Sequence, residues 1–472
     1  MVICSLKHSN RMTVNKLIAA LICAAIVVPG SARQKKAEKA GFDENHVVLS
    51  LGVLSDTHVD GVLTVPGYKF RMALLQLRDK AAQTDVDGLD GVLIAGDLIN
   101  NPFHDPKHYA QMNSFRAIYE SVLDPARIPL VFTPGNHDIY KEWTENTVKD
   151  VHNLYSRLGD GFFLSDLDKG ARDTLGCRHC KIGDYHVLCI VPSSSRPTIQ
   201  YPAAALEWMD ATLKELTSAE PDRYVILLTH PMLDSTVYGS TLGAYWETSA
   251  LDSLMNRYPQ VITFSGHLHF PLNDPRSIWQ GGFTAVGCGS VRYMAIENGG
   301  YEMMSSATVM KDANEFSQGL LLQFDRKGNA RLVRMDFYNA RPIGEDWTLS
   351  KPAADGSHLK KYTTAGRAAA NSAPELCSLE VVPDGDKVSV AFASGKDDEF
   401  VHHYVLTLTG ADGVSVTKKV LADFYRHPLP SGMKPSWEVP FTGLQPGKYT
   451  VSLTAFDSWG AESNTLIKEF TL

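Results

Sequence analysis

From Val47 onward the chain alternates short, continuously apolar runs with longer segments of helical spacing. The runs HVVLSLGVLSD, GVLIAGD, IPLVFTPGNHD, YHVLCIV, RYVILLTH and QVITFSGHLH are rich in β-branched residues and of strand length. Unbroken apolarity is what burial of a sheet on both faces produces, so helices are predicted to cover both sides. Between the runs, KFRMALLQLRDKAAQ and AALEWMDATLKEL repeat apolar residues at helical intervals, the second through Leu206, Met209, Leu213 and Leu216, with Trp208 expected in the core. The pattern predicts an α/β fold, a layered β-sheet core flanked by helices, over residues 47–342.

The period then changes. Residues 343–374 are polar, small and without apolar periodicity, and read as a linker. In residues 375–472 apolar and polar positions alternate between Gly, Asp and Pro turns, which predicts a second, smaller all-β sandwich domain. Its GLQPGKYTVSLTAFDSWG resembles the late strands of fibronectin type III and related immunoglobulin-like modules. Nothing in it assembles a catalytic set. It is expected to be a spacer, or to dock on a surface or glycan, and deletion from about Glu375 onward is expected to spare the chemistry of the rest.

At the other end, Lys7, Arg11 and Lys16 precede the wholly apolar LIAALICAAIVV (17–28), which Pro29, Gly30, Ser31 and Ala32 follow. This is the order of a signal peptide, residues 1–32, and the apolar run falls short of the roughly 20 residues that span a bilayer. Cys23 lacks the small residue before it that lipid attachment would want, so secretion or periplasmic export without a membrane anchor is expected, ahead of a polar tail at 33–46.

Composition narrows the classes further. With 44% hydrophobic and 21% charged residues in 472, the chain is neither a disordered acidic polymer nor a membrane bundle. A net charge of −8 argues against nucleic-acid polymers as partners. Seven cysteines are too few for a disulfide scaffold. Cys177 and Cys180 form a CxxC that reads as a loop disulfide or half a metal site, while Cys189 and Cys288 read as core residues.

In open α/β sheets, ligands bind outside the carboxyl ends of strands. Nearly every apolar run here ends in a metal-ligand type of residue: Asp56 and His58, Asp97, Asn136 and His137, His230, then His267 and His269. Singly, each has an ordinary explanation as a helix cap, a turn residue or a surface histidine. Packing does not require five strand ends to present oxygen and imidazole donors together. Carboxylate, imidazole and amide oxygen without thiolate suit Mn, Fe or Zn, and the number of donors suits two divalent ions, the usual arrangement for hydrolysing phosphate esters.

These residues stand in DTH (56–58), GD (96–97), GNHD (135–138), the lone TH at His230 and GHLH (266–269). In this order they resemble the full signature of the calcineurin-like metallophosphoesterases, over about residues 47–341. The resemblance implies an αββα sandwich and two metal ions. Asp56, His58, Asp97 and His269 would hold one, with Asp97 bridging to a second that Asn136, His230 and His267 complete. It implies a bridging hydroxide as the nucleophile on phosphorus, and His137, free of metal, as proton donor beside the leaving group.

Asn100 and Asn101 stand where purple acid phosphatases have a tyrosine and related protein phosphatases an Asp followed by Arg, so the group that orients His137 is open. GDLIN followed by Tyr109 resembles instead the bacterial phosphodiesterase and nucleotidase-like branch. A phosphodiester is therefore the expected substrate, with a phosphomonoesterase of acid-phosphatase or nucleotidase type as the alternative. A non-catalytic surface binding protein is disfavoured by the intact ligand set. Asp138 is a candidate for orienting a histidine, or else a cap. Arg292, after GCGSV, is the leading candidate for a phosphate contact, and Tyr140, Trp143, Trp246 and Tyr293 are candidate pocket aromatics.

Overall fold

The computed structural model describes residues 41–472 except 102–104, 140–153, 156–157, 159–161, 163, 194–198, 242–248 and 306–307; the expected signal peptide and the candidates Tyr140, Trp143 and Trp246 lie outside the described residues. β1 (Val47–Leu54), β2 (Gly91–Ala95) and β3 (Leu130–Thr133) run parallel and begin one sheet. A second sheet holds β4 (Arg178–Ile182), β5 (Tyr185–Cys189), β6 (Val225–Leu228), β7 (Val261–Ser265), β8 (Ile278–Gln280) and β9 (Thr284–Gly287), in the order β4-β5-β6-β7-β9-β8. The chain then returns to the first sheet. β10 (Gln318–Asp325) pairs antiparallel with β1, β11 (Ala330–Asp336) with β10, and both β12 (Arg341–Pro342) and β13 (Trp347–Leu349) with β11.

The two sheets pack face to face. Leu51, Val53, Leu93 and Val131 of the first meet Val187, Ile226, Leu228, Ile262 and Phe264 of the second in one apolar cluster. Alternate residues point outward: Val92, Ile94 and Phe132 against Phe70, Leu74 and Phe115 of helices Val65–Ala81 and His108–Val122, and Leu188 and Leu227 against Met209 and Leu213 of helix Ala203–Ala219. The layers are αββα. Each sheet thus has helices on only one face, because its other face is covered by its partner sheet. Helix Val65–Ala81 starts ahead of its apolar pattern, since Thr64 accepts the Gly67 N–H and Pro66 sits in the first turn. Trp208 is half-buried, giving its indole N–H to Asp168 at 2.9 Å.

The expectation of a linker needs correcting. The stretch 343–374 carries β13, buries Trp347, Leu349, Leu359 and Tyr362, and includes helix Thr364–Ala370. These apolar residues are irregularly spaced and bury one at a time against the sheet, which hides them from any test of periodicity. Cys177 and Cys180 are both free; three residues apart on extended chain they face opposite sides, Cys177 toward the helices and Cys180 between the sheets.

The C-terminal strands form two antiparallel sheets. β14 (Glu380–Asp384), β15 (Lys387–Ala393) and β18 (Ser436–Thr442) make one; β16 (Val401–Gly410), β17 (Ser415–Leu421), β19 (Lys448–Asp457) and β20 (Leu466–Thr471) make the other, ordered β17-β16-β19-β20. Val388, Val390, Tyr404 and Leu453 fill the space between. The same apolar cluster takes in Tyr238, Phe270, Met294 and Ile296 of the α/β region. The sandwich is therefore packed into the rest of the molecule and is not a free-standing spacer. Among the described residues no helix is long and apolar enough to cross a membrane.

Candidate metal centre

Every donor singled out in the sequence follows the carboxyl end of a strand: Asp56 and His58 after β1, Asp97 after β2, Asn136 after β3, His230 after β6, His267 and His269 after β7. Five of them occupy left-handed backbone, Asp56 at φ 52°, His58 at 43°, Asp97 at 54°, His267 at 73° and His269 at 60°. Among the described residues other than glycine only Ser235 and Ala340 share that region. Such backbone costs about 1–2 kcal/mol per residue, and its concentration at one place marks a site that the surrounding fold enforces.

Glycines let the loops close around the side chains. A Cβ on Gly266 would lie 1.8 Å from Ser55 Oγ and 2.4 Å from Asp56 Oδ2, one on Gly135 2.2 Å from Asp97 Oδ1. Gly135 and Gly266 are thus demanded by close approach of the carboxylates, and Gly96, at φ 90°, by the His230 ring, whose Nδ1 a Cβ would meet at 2.3 Å.

The donors converge in two groups that meet at Asp97. Asp56 Oδ1 lies 3.1 Å from His269 Nε2 and 3.7 Å from His58 Nε2, and the two imidazole nitrogens are 3.3 Å apart. Asp97 Oδ2 lies 3.6 Å from His58 Nε2 and 3.3 Å from His230 Nε2. His230 Nε2 in turn is 3.2 Å from Asn136 Oδ1 and 3.1 Å from His267 Nδ1. His230 and His269 each spend the other ring nitrogen on a carbonyl, His230 Nδ1–H to Ala95 at 2.7 Å and His269 Nδ1–H to Tyr293 at 3.1 Å, with Ser290 Oγ 2.9 Å from the same His269 atom. That fixes the tautomer with Nε2 turned inward.

This donor set fits metal ions. A proton on His230 Nε2 satisfies one of the three acceptors around it, whereas a cation in their midst satisfies all three. Among the described residues Asp56 Oδ1 and His58 Nδ1 are buried without a hydrogen-bond partner. Burial opposes the charge on Asp97, yet His230, His137 and His58 around it hold its carboxyl far below the ordinary range, and His269 and His58 do the same for Asp56. His230 is buried too, but Asp97 outweighs that and pushes it up to about 9. Burial holds His58 and His267 below the usual imidazole value, so they present lone pairs.

His137 is at the rim, partly exposed, its ring 4.6 Å from that of His58. Its backbone N–H donates to Asp97 Oδ1 at 2.8 Å and its Nδ1–H to the Asn100 carbonyl at 2.7 Å. Asn100 thus orients His137 through its main chain, and its side-chain amide goes to Asn101. Asp138 bonds no histidine among the described residues; its carboxylate accepts the N–H groups of Gly135 and Ile99, tying the β2 and β3 loops together, and burial with the charge of Asp97 pushes it up to about 7.

The Arg292 main chain donates to the Asp56 carbonyl at 3.1 Å, and its partly exposed guanidinium makes no hydrogen bond or ion pair among the described residues. Tyr293 lies over His269 with ring centroids 4.1 Å apart. Sequence reasoning missed Ser290 and Lys69. The Lys69 ammonium is buried and donates to the carbonyls of Arg292, Asn314 and Phe316 at 2.6–2.7 Å. A lysine one position before Phe70, on the face that Ala73 and Leu77 continue, was the available signal; Ser290 left none.

Carboxylates and imidazoles thus converge at the strand ends of an αββα core in groups that could hold metal ions. Residues 49–271 match the model of the calcineurin-like phosphoesterase family, and with the donor groups this marks the region as a metal-dependent phosphoric ester hydrolase. No curated protein matches the chain. Solved structures that match include a family 76 glycoside hydrolase from a bovine Bacteroides thetaiotaomicron strain, at 16% identity and TM-score 0.17, over 21% of this chain and 20% of that one. Others are a superoxide reductase from Nanoarchaeum equitans (11%, 0.17, over 24% and 97%) and a hypothetical protein from Pyrococcus horikoshii OT3 (16%, 0.16, over 22% and 87%). At these TM-scores none bears on fold or function.

Proposed function

We propose that the protein is an exported phosphodiesterase that works with two divalent ions, Mn, Fe or Zn. The observation that carries this reading is the meeting of donor groups at one carboxylate: Asp56, His58 and His269 on one side, His230, His267 and Asn136 on the other, with Asp97 between them and His137 beside His58 and Asp97. Asp56, His58, Asp97, Asn136, His230, His267 and His269 would hold the ions, which when bound would supply Lewis acidity and a hydroxide nucleophile at neutral pH.

The chain's own groups do the remainder. Asp97 offsets the repulsion between two cations, and the carbonyls of Ala95 and Tyr293 keep two imidazoles turned inward. His137, held by the Asn100 carbonyl, has its Nε2 free to give a proton to the departing alkoxide. Arg292 offers a partly exposed guanidinium to a phosphate oxygen. Export rests on the pattern of residues 1–32, and the fibronectin type III-like reading of the C-terminal domain is supported by its three-plus-four strand order. A diester is favoured by Asn100 and Asn101, which replace the landmarks of the monoester branches.

The test is hydrolysis of bis-p-nitrophenyl phosphate beside p-nitrophenyl phosphate by manganese-loaded protein, with Asp97→Asn as the blank. Faster turnover of the diester is expected. Preference for the monoester would replace the diesterase reading by a phosphomonoesterase, and no turnover of either would remove both.

A further inference from the structure

The segment from Ser290 to Glu297 lies between the metal centre and the C-terminal sandwich. Its inner side is bonded to the ligand loops. Val291 N–H donates to the Ser55 carbonyl at 3.2 Å, Arg292 N–H to the Asp56 carbonyl at 3.1 Å and Ala295 N–H to the His269 carbonyl at 3.1 Å. Ser290 and Tyr293 supply both partners of His269 Nδ1.

Its outer side belongs to the sandwich. Met294, Ala295 and Ile296 are buried in the cluster that includes Tyr404 and Phe424. Glu297 then places its carboxylate 3.2 Å from His402 Nε2 on β16, accepts the Tyr301 hydroxyl at 2.9 Å and accepts the Tyr238 hydroxyl. Tyr301 itself bridges to Lys419 of β17, and Glu302 N–H donates to the Lys419 carbonyl at 2.9 Å. His402 is 3% exposed, so this polar contact is enclosed and directional, and sliding of the two regions would leave buried groups unpaired.

We propose that the sandwich is part of the active-site scaffold, with His402 as a positioning residue that holds the 290–297 segment, and through it His269, by way of Glu297. The ion coordinated by Asp56, His58 and His269 therefore depends on a domain that contributes no ligand to it. The inference rests on the metal-centre reading above. It also replaces the expectation that removing the sandwich is silent.

The experiment is calorimetric titration of manganese into EDTA-treated full-length protein, wild type against His402→Leu, His402→Gln and Tyr301→Phe, with kcat and KM alongside. In His402→Leu one of two binding events weakens by about 10–100-fold, the scale of losing an outer partner of a metal ligand, while the other is unchanged. Raised manganese restores kcat, which it would not do for a protein merely unfolded, and His402→Gln, which keeps an N–H near Glu297, recovers most of the affinity. Unchanged affinity for both ions in a folded His402→Leu overturns the proposal. Where His402→Leu fails to fold, Tyr301→Phe decides, since it removes one hydroxyl from the same carboxylate, and wild-type affinity there overturns the proposal equally. A wild type that binds no manganese would instead remove the metal-centre reading itself.

Discussion

The metal centre and the C-terminal sandwich handle backbone geometry in opposite ways. In the sandwich, left-handed residues are all glycines, Gly385, Gly413, Gly443 and Gly460, at turns with open space around the missing side chain. In the metal centre five of the aspartates and histidines are themselves left-handed, beside Gly96, and the adjacent motif glycines are crowded, Gly135 and Gly266 by carboxylates and Gly96 by the His230 ring. One region places strain nowhere it can avoid. The other concentrates strain and buried charge where chemistry needs rigid, converging donors, and relies on the packing around it to hold them.

That contrast can be broken by substituting glycines in both regions. Gly266→Ala pushes a methyl group into Ser55 and Asp56, and is expected to lower activity on every ester by about a hundredfold or more, the scale of a 1 Å misplacement in an active site. Assay of the folded variant checks this, and near-normal activity would mean that the crowding around Asp56 is incidental.

His137→Ala sharpens the contrast within the site, because it removes a rim group and leaves the strained ligands in place. The loss should be about a hundredfold with an alkyl ester and small with a nitrophenyl ester, which leaves without a proton. Equal losses in parallel assays would end its role as proton donor.

The smallest effect belongs to the sandwich. Gly443→Ala meets no neighbouring atom, so only its φ of 74° matters, and it should cost about 1 kcal/mol in denaturant unfolding with activity unaltered. A loss of activity without loss of stability would show that this turn is coupled to the centre in a way its open surroundings do not suggest.

Much of the α/β region was legible because its strands are buried on both faces, so six runs stand out by continuous apolarity alone. β10 and β11 were not singled out, although their QGLLLQFD and ARLVRMD return to the first sheet. The donors were legible because few residue types bind metal and each follows a strand. The outer partners were not. Asn100 acts through its carbonyl, which every residue has; Ser290 acts by a contact with His269, 21 positions away on another loop; and the Glu297–His402 pairing joins residues more than 100 positions apart. Such roles depend on tertiary closure and leave no periodic trace. Residues 343–374 show the reverse error, where polar composition concealed four buried anchors.

The most direct test of the account is the metal content of wild-type protein and Asp97→Asn after manganese loading and exhaustive dialysis, measured by mass spectrometry. The account predicts about two ions per wild-type chain, as expected for a two-metal phosphoesterase, and a clear loss in the variant that lacks the shared carboxylate. A wild type that retains no metal, or an Asp97→Asn variant that retains as much as the wild type, would contradict it.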